Sequence, residues 1–193
     1  MIVNIDRLKR ESLNDIGGII HVKNYFSAFD RKNIESFLKN MNYSPLYHED
    51  QMARYEVSII KTNESIDRFT GEIKELSNII GHQSCYQELY SFKYIEGQSI
   101  PLHRDMDRHK ITAIAYFGNF KGGEYIYETA SREQIEIALN CGDIVISINE
   151  LSDGSQINPS HRVNTILSGE RYCLVASMVS SQKSNKRFKS NPY

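Results

Sequence analysis

Apolar residues recur along this chain with two different periods, and the change from one to the other falls near Gly81. Before it the spacing is helical. Ser27 or Asp30 can cap a helix running to about Met41, whose buried stripe would be Ile34, Phe37 and Leu38. A second amphipathic helix is expected over Glu64–Ile80, with Ile66, Phe69, Ile73, Leu76 and Ile80 on one face and Gly81 closing it. A short strand follows the glycine pair Gly17-Gly18, and another is expected over Arg54–Lys61. Asn42–Gln51, which contains Pro45, reads as loop, and residues 1–16 fit no single template. The first eighty residues therefore read as mainly helical cladding.

After Gly81 the period falls toward two. Tyr86, Glu88, Tyr90, Phe92 and Tyr94 alternate with Gln87, Leu89, Ser91, Lys93 and Ile95, the pattern of a strand with two distinct faces. Further strands are expected at Ile111–Phe117, Glu124–Glu128, Gln134–Leu139, Asp143–Ile148, Val163–Ile166 and Arg171–Val179. Turns at Gly122-Gly123, Cys141-Gly142-Asp143 and Ser168-Gly169 separate them. Many short strands with glycine turns argue for a sandwich or barrel, so the fold class is mainly β with flanking α.

Composition narrows the setting. A chain of 193 residues is long enough for one domain with a sizeable core. Twenty-three Lys and Arg against 24 Asp and Glu leave a net charge of -1, so no whole-molecule field favours a nucleic-acid or membrane partner. Cys85, Cys141 and Cys173 are widely spaced and fit buried thiols in a reducing compartment. Charges within Met1–Arg10 stand where a signal peptide needs an apolar run, and no apolar stretch reaches membrane-spanning length, so a cytoplasmic protein is expected. Ser180–Tyr193, with Lys183, Lys186, Arg187 and Lys189 among polar residues, reads as a basic tail.

The candidate chemistry lies in His103-Arg104-Asp105. On a strand, positions 103 and 105 share a face, so an imidazole and a carboxylate can converge on one metal ion while Arg104 points away. Asp107 lies on the same face if the strand continues, and competes with Asp105. His161 follows 56 residues after Asp105, and Arg171 ten residues after His161. Two His and one carboxylate with open positions suit a non-haem Fe(II) that must also bind a cosubstrate and dioxygen. Arg171, placed after the Ser168–Glu170 turn on a strand next to that of His161, would offer a dicarboxylate a two-pronged partner.

This order of residues resembles the Fe(II)- and 2-oxoglutarate-dependent dioxygenase superfamily, in particular its prolyl-4-hydroxylase-like branch, over about residues 84–179. The resemblance implies a double-stranded β-helix, or jelly-roll, core over 84–179 supported by residues 1–83. Together these would form a single oxygenase domain, 1–179, followed by the tail at 180–193. It places the metal ligands at His103, Asp105 and His161, favouring Asp105 over Asp107, and the 2-oxoglutarate contacts at Arg171, Tyr116 and Tyr94. Collagen-type members of the branch carry Lys where Arg171 stands here. The implied cofactors are Fe(II), 2-oxoglutarate and O2, with ascorbate as a stimulant.

The implied reaction is hydroxylation of an unactivated C–H bond in an amino-acid side chain, a prolyl-type residue in a protein or peptide or a free amino acid. The alternatives are a small-molecule tailoring oxygenase of a biosynthetic pathway and a non-catalytic metal-binding jelly-roll module. Other readings lack their marks. A nucleobase demethylase of the superfamily would carry a second Arg six residues beyond Arg171, where Ser177 stands. The H-E-x-x-H of zinc hydrolases and the His-x-His of cupins are both missing. Substrate selection is expected from Asn42–Arg54, Asp107–Lys110 and Glu150–Ser160, the last a candidate lid.

Overall fold

The computed structural model describes residues 18–48, 51–59, 61–151 and 153–180, with 46–48 and 51–55 described by backbone alone. The N-terminal charges and the basic tail beyond Ser180 lie outside the described residues. Eleven strands and two helices follow one another among them. They are β1 (Ile19–Val22), α1 (Ala28–Lys39), β2 (Ser44–His48), β3 (Gln51–Ser58), α2 (Glu64–Ile79), β4 (Tyr86–Ile95) and β5 (Ile100–His103). Then come β6 (His109–Gly122), β7 (Tyr125–Glu128), β8 (Gln134–Ile137), β9 (Ile144–Ile148), β10 (His161–Val163) and β11 (Ile166–Val179).

The strands form two antiparallel sheets, a large one in the order β1-β9-β6-β11-β4-β3-β2 and a small one in the order β5-β10-β7-β8. The helices cover the outer face of the large sheet and the small sheet faces its inner side, a jelly roll with helical support. Alternation along β11 accomplishes both packings. Tyr172, Leu174, Ala176 and Met178 join the cluster under the helices, while Cys173 and Val175 join the cluster between the sheets. From Tyr172 to Val179 β11 is covered on both faces, and that part reads in sequence as a nearly continuous apolar run.

Both helices begin where their sequences provide a cap. Ser27 Oγ accepts from Asp30 N at 3.1 Å, and Asn63 Oδ1 accepts from Ile66 N at 3.0 Å, each cap contributing about 1 kcal/mol. Ile66, Phe69, Ile73 and Leu76 are buried against the sheet, at roughly 1.5–3 kcal/mol apiece. Ile34 and Leu38 do the same for α1, with Phe37 only half-buried. Gly81, at φ +95°, takes the left-handed turn that ends the second helix.

Three strand expectations need correction. Pro45 lies within β2 rather than in a loop, which is possible because β2 is the edge of the large sheet and a missing N–H there costs no ladder bond. Ser168-Gly169 is not a turn: β11 runs through it from Ile166, opposite Lys121 and Phe120, after a register shift. Gly169 is required there because a Cβ would collide with the carbonyl of Asn119 across the ladder. As a result His161 and Arg171 are not on neighbouring strands. His161 is on β10 of the small sheet, Arg171 on β11 of the large one, and the two face each other across the sandwich.

Candidate functional site

Between the sheets lies a cavity of about 220 Å³ whose lining includes His103, Asp105, His161, Tyr94, Tyr116 and Arg171. It thus gathers the six residues that the resemblance assigned to metal and cosubstrate, and leaves out Asp107. The cavity has two distinct ends.

At one end, His161 on β10 pairs in register with His103, the last residue of β5, and their rings are 4.3 Å apart. Asp105 follows just beyond the end of β5, not on a continued strand. One potential ligand atom from each of His103, Asp105 and His161 lies within 4.8 Å of the others. Asp107 sits in the exposed turn before β6 and is not part of this group.

The imidazoles are oriented alike. His103 Nδ1 is 2.9 Å from the carbonyl of Pro101 and His161 Nδ1 is 3.0 Å from that of Pro159, each two residues back. A carbonyl only accepts, so each Nδ1 carries a proton, which in the neutral ring leaves Nε2 with the lone pair that a metal takes. Asp105 is held by Asn149, whose Nδ2 donates to its Oδ2 at 3.0 Å, and by Asn158, whose Nδ2 donates to its carbonyl at 3.0 Å. Ser147 Oγ in turn donates to Asn149 Oδ1 at 2.6 Å. Burial raises the Asp105 pKa, but His161, Thr112, Asn149 and His109 outweigh it and hold the carboxyl below its ordinary value, as an anion.

At the other end, Arg171 is only 1% exposed, so its charge is withdrawn from water. Nη1 donates to the carbonyl of Gly123 at 2.6 Å, and the guanidinium carbon lies 4.9 Å from the ring centre of Tyr94, 5.6 Å from Tyr116 and 5.7 Å from Phe120. Tyr94 is its direct cross-strand partner. Arg171 Nε and Tyr116 Oη are buried with no hydrogen-bond partner among the described residues. Burial, chiefly, holds the Tyr116 phenol well above its ordinary pKa, so it stays a neutral O–H donor. A buried cation and two unanswered donors on one cavity wall are costly unless a ligand answers them, and a carboxylate accepts from both.

Several contributors were not singled out in the sequence. Tyr125 on β7 is buried and stacks on His161, with ring centres 5.2 Å apart and planes 19° from parallel. Its alternation with Tyr127 was the available signal, since both point inward on an expected strand. Asn149 and Asn158 carried none, because asparagine is ordinary loop vocabulary. His109, at the start of β6, is buried and lines the cavity. His21 instead bonds Asp143 at 3.2 Å and His82 bonds the carbonyl of Glu150 at 2.7 Å. The expected lid, Glu150–Ser160, is tied back to the site through Ile157 N and Asn158 N, both donating to the Asn149 carbonyl. Among the described residues, no helix is long and apolar enough to cross a membrane.

No protein-family model and no curated protein matches the sequence. Solved structures do match. A prolyl-4-hydroxylase from Pseudomonas putida superimposes with a TM-score of 0.71 at 16% identity, over 86% of this chain and 94% of that one. A prolyl hydroxylase from Trichoplax adhaerens, in complex with a hypoxia inducible factor oxygen degradation domain peptide fragment, gives 0.69 at 11% identity, over 88% and 86%. HygX from Streptomyces hygroscopicus, with nickel and 2-oxoglutarate bound, gives 0.65 at 12% identity, over 90% and 88%. The chain has the fold of these proteins.

Proposed function

We propose that the protein is a non-haem Fe(II)- and 2-oxoglutarate-dependent dioxygenase that hydroxylates an unactivated C–H bond of an amino-acid side chain, free or within a peptide. The observation that carries this reading is the pairing, in one cavity, of the His103–Asp105–His161 group with a buried Arg171 that has no acidic partner among the described residues. A metal-binding module has no need of the second feature.

His103, Asp105 and His161 would hold the iron, two neutral imidazoles and one anionic carboxylate leaving other coordination positions open. When bound, iron and 2-oxoglutarate together supply an oxidant for C–H bonds, the cosubstrate leaving as succinate and CO2. The chain's own residues do the rest. Arg171 takes the far carboxylate of 2-oxoglutarate by charge-assisted hydrogen bonds, and Tyr116 donates a further one. Tyr94 walls the guanidinium, and Tyr125 fixes the plane of His161. Asn149 and Asn158 keep the Asp105 carboxylate aimed at the metal. The fold shared with two prolyl hydroxylases, one in complex with a peptide, and with a protein holding nickel and 2-oxoglutarate supports the same assignment.

The test is oxygen-dependent succinate formation from 2-oxoglutarate with Fe(II) and ascorbate, stimulated by high-mass or low-mass fractions of a cell extract, with His161→Ala as control. Stimulation by the high-mass fraction identifies a protein hydroxylase, and stimulation by the low-mass fraction an amino-acid or metabolite hydroxylase. Equal succinate from wild type and His161→Ala would contradict the proposal.

A further inference from the structure

We infer that the substrate carries a cationic group, an ammonium or guanidinium, and that Glu56 receives it; this rests on the oxygenase reading above and deepens it. Glu56 is on β3 with its Cα directly opposite Phe92 of β4, so the two side chains leave the large sheet on the same face. That face is the inner one, and Glu56, Tyr90 and Phe92 all line the metal cavity.

The other ionisable groups of the lining have work already. His103, Asp105 and His161 form the metal group, and Arg171 is committed to Gly123 and the cosubstrate end. His109 adjoins Asp105, whose pKa it helps to lower. Arg104, on the cavity rim, directs its Nε to Ser160 Oγ at 3.0 Å. Glu56 has no hydrogen bond or ion pair with any described residue. It is a half-buried carboxylate facing a cavity, with no countercharge from any described residue.

Its neighbours supply the rest of a cation site. The rings of Tyr90 and Phe92 stand 5.1 Å apart and 67° from parallel, forming an aromatic corner beside the carboxylate. Tyr90 is held by its hydroxyl, 3.2 Å from Ser177 Oγ. Aromatic faces attract a cation through their negative quadrupole, and a carboxylate adds a charge-assisted hydrogen bond. An apolar or acidic substrate group would leave the carboxylate unanswered and desolvate it at a loss, and a neutral donor would answer it without supplying a countercharge. The Arg171 end, where the cosubstrate sits, attracts the opposite sign, so the two ends of one cavity discriminate by charge which molecule enters where.

The test uses matched probes that differ in charge: free lysine and arginine, and glycine-flanked peptides containing them, against norleucine and citrulline counterparts. Each is titrated calorimetrically into the Ni(II)-loaded protein with and without 2-oxoglutarate, for wild type, Glu56→Gln and Glu56→Lys. Thermal melts verify that the variants are folded. The expected result is that at least one cationic probe binds wild type about tenfold or more tightly than its neutral counterpart. The preference should disappear in Glu56→Gln and reverse in Glu56→Lys. Absence of binding by every cationic probe, equal binding of charged and neutral partners, or a cation preference that survives Glu56→Gln overturns the assignment. Failure of the oxygenase reading shows separately, as wild-type protein that takes up no 2-oxoglutarate in the presence of Ni(II).

Discussion

His103 and His161 are cross-strand partners whose rings lie 4.3 Å apart, each turned by the carbonyl of a proline two residues before it. The small sheet therefore fixes the separation of the two imidazoles and the chain just before each one orients its ring, so only the carboxylate has to be positioned from elsewhere. That task falls to Asn149, at the end of β9 in the large sheet.

Asn149→Ala removes the bond to Asp105 Oδ2 while leaving all three proposed ligands in place. Loss of such supporting groups commonly costs roughly 10- to 100-fold in metal affinity. We expect a fall of that size in Ni(II) or Fe(II) affinity, measured by competition with a chelator. Unchanged affinity would show that Asp105 is held sufficiently by Asn158 and the turn.

Arg171 tests the other end of the cavity. Arg171→Ala should weaken 2-oxoglutarate binding by roughly 10- to 100-fold, the worth of a charged hydrogen bond, with metal affinity retained. Arg171→Lys should recover part of the loss, because a lysine supplies charge without the planar fork. Calorimetric titration of the metal-loaded variants checks both.

Gly123 offers a subtler probe of the same wall. Its φ is +73°, and a Cβ there would come within 2.5 Å of Arg171 Nη1 and collide with the Ile166 side chain. Gly123→Ala should displace the guanidinium and weaken 2-oxoglutarate binding roughly tenfold or more, a bond of about the strength of Arg171 to Gly123 being at stake. Metal titration of the same variant should match wild type.

Asp30 predicts the acid limit of the fold. Hydrogen bonds from Ser27 Oγ and Ser65 Oγ, both at 2.6 Å, together with Arg68 at 2.5 Å, outweigh burial and hold its pKa at about 2, against an ordinary 3.8. A depressed carboxylate stabilises the folded state above its unfolded pKa and loses that contribution as pH falls through the folded value. Roughly 2 kcal/mol should therefore disappear between about pH 5 and pH 2. Urea unfolding across that range checks it: Asp30→Asn should show a shallower acid dependence by about this amount.

Much of this architecture is legible in the residues themselves. The helical stripe Ile66–Phe69–Ile73–Leu76 and the alternation of Tyr86–Ile95 appear as they read, because the helix buries one face and the strand turns a different set of residues to each layer, and periodicity reports both. The pairing of strands is not legible in the same way. Nothing local in His161–Arg171 says that the chain crosses from the small sheet to the large one at Asn164-Thr165, and a glycine at 169 reads as a turn although a strand needs it for close approach. Glu56 is a surface-type residue in sequence and acquires meaning only from standing opposite Phe92.

In the proposed enzyme one cavity would hold a metal at His103, Asp105 and His161 and 2-oxoglutarate at Arg171. The most direct measurement is equilibrium binding of Ni(II) and of 2-oxoglutarate to wild type, Asp105→Ala and His161→Ala. The account predicts one equivalent of metal on wild type, strongly reduced binding on both variants, and 2-oxoglutarate uptake that depends on the metal. Stoichiometric metal binding by both variants, or 2-oxoglutarate binding indifferent to metal, would contradict it.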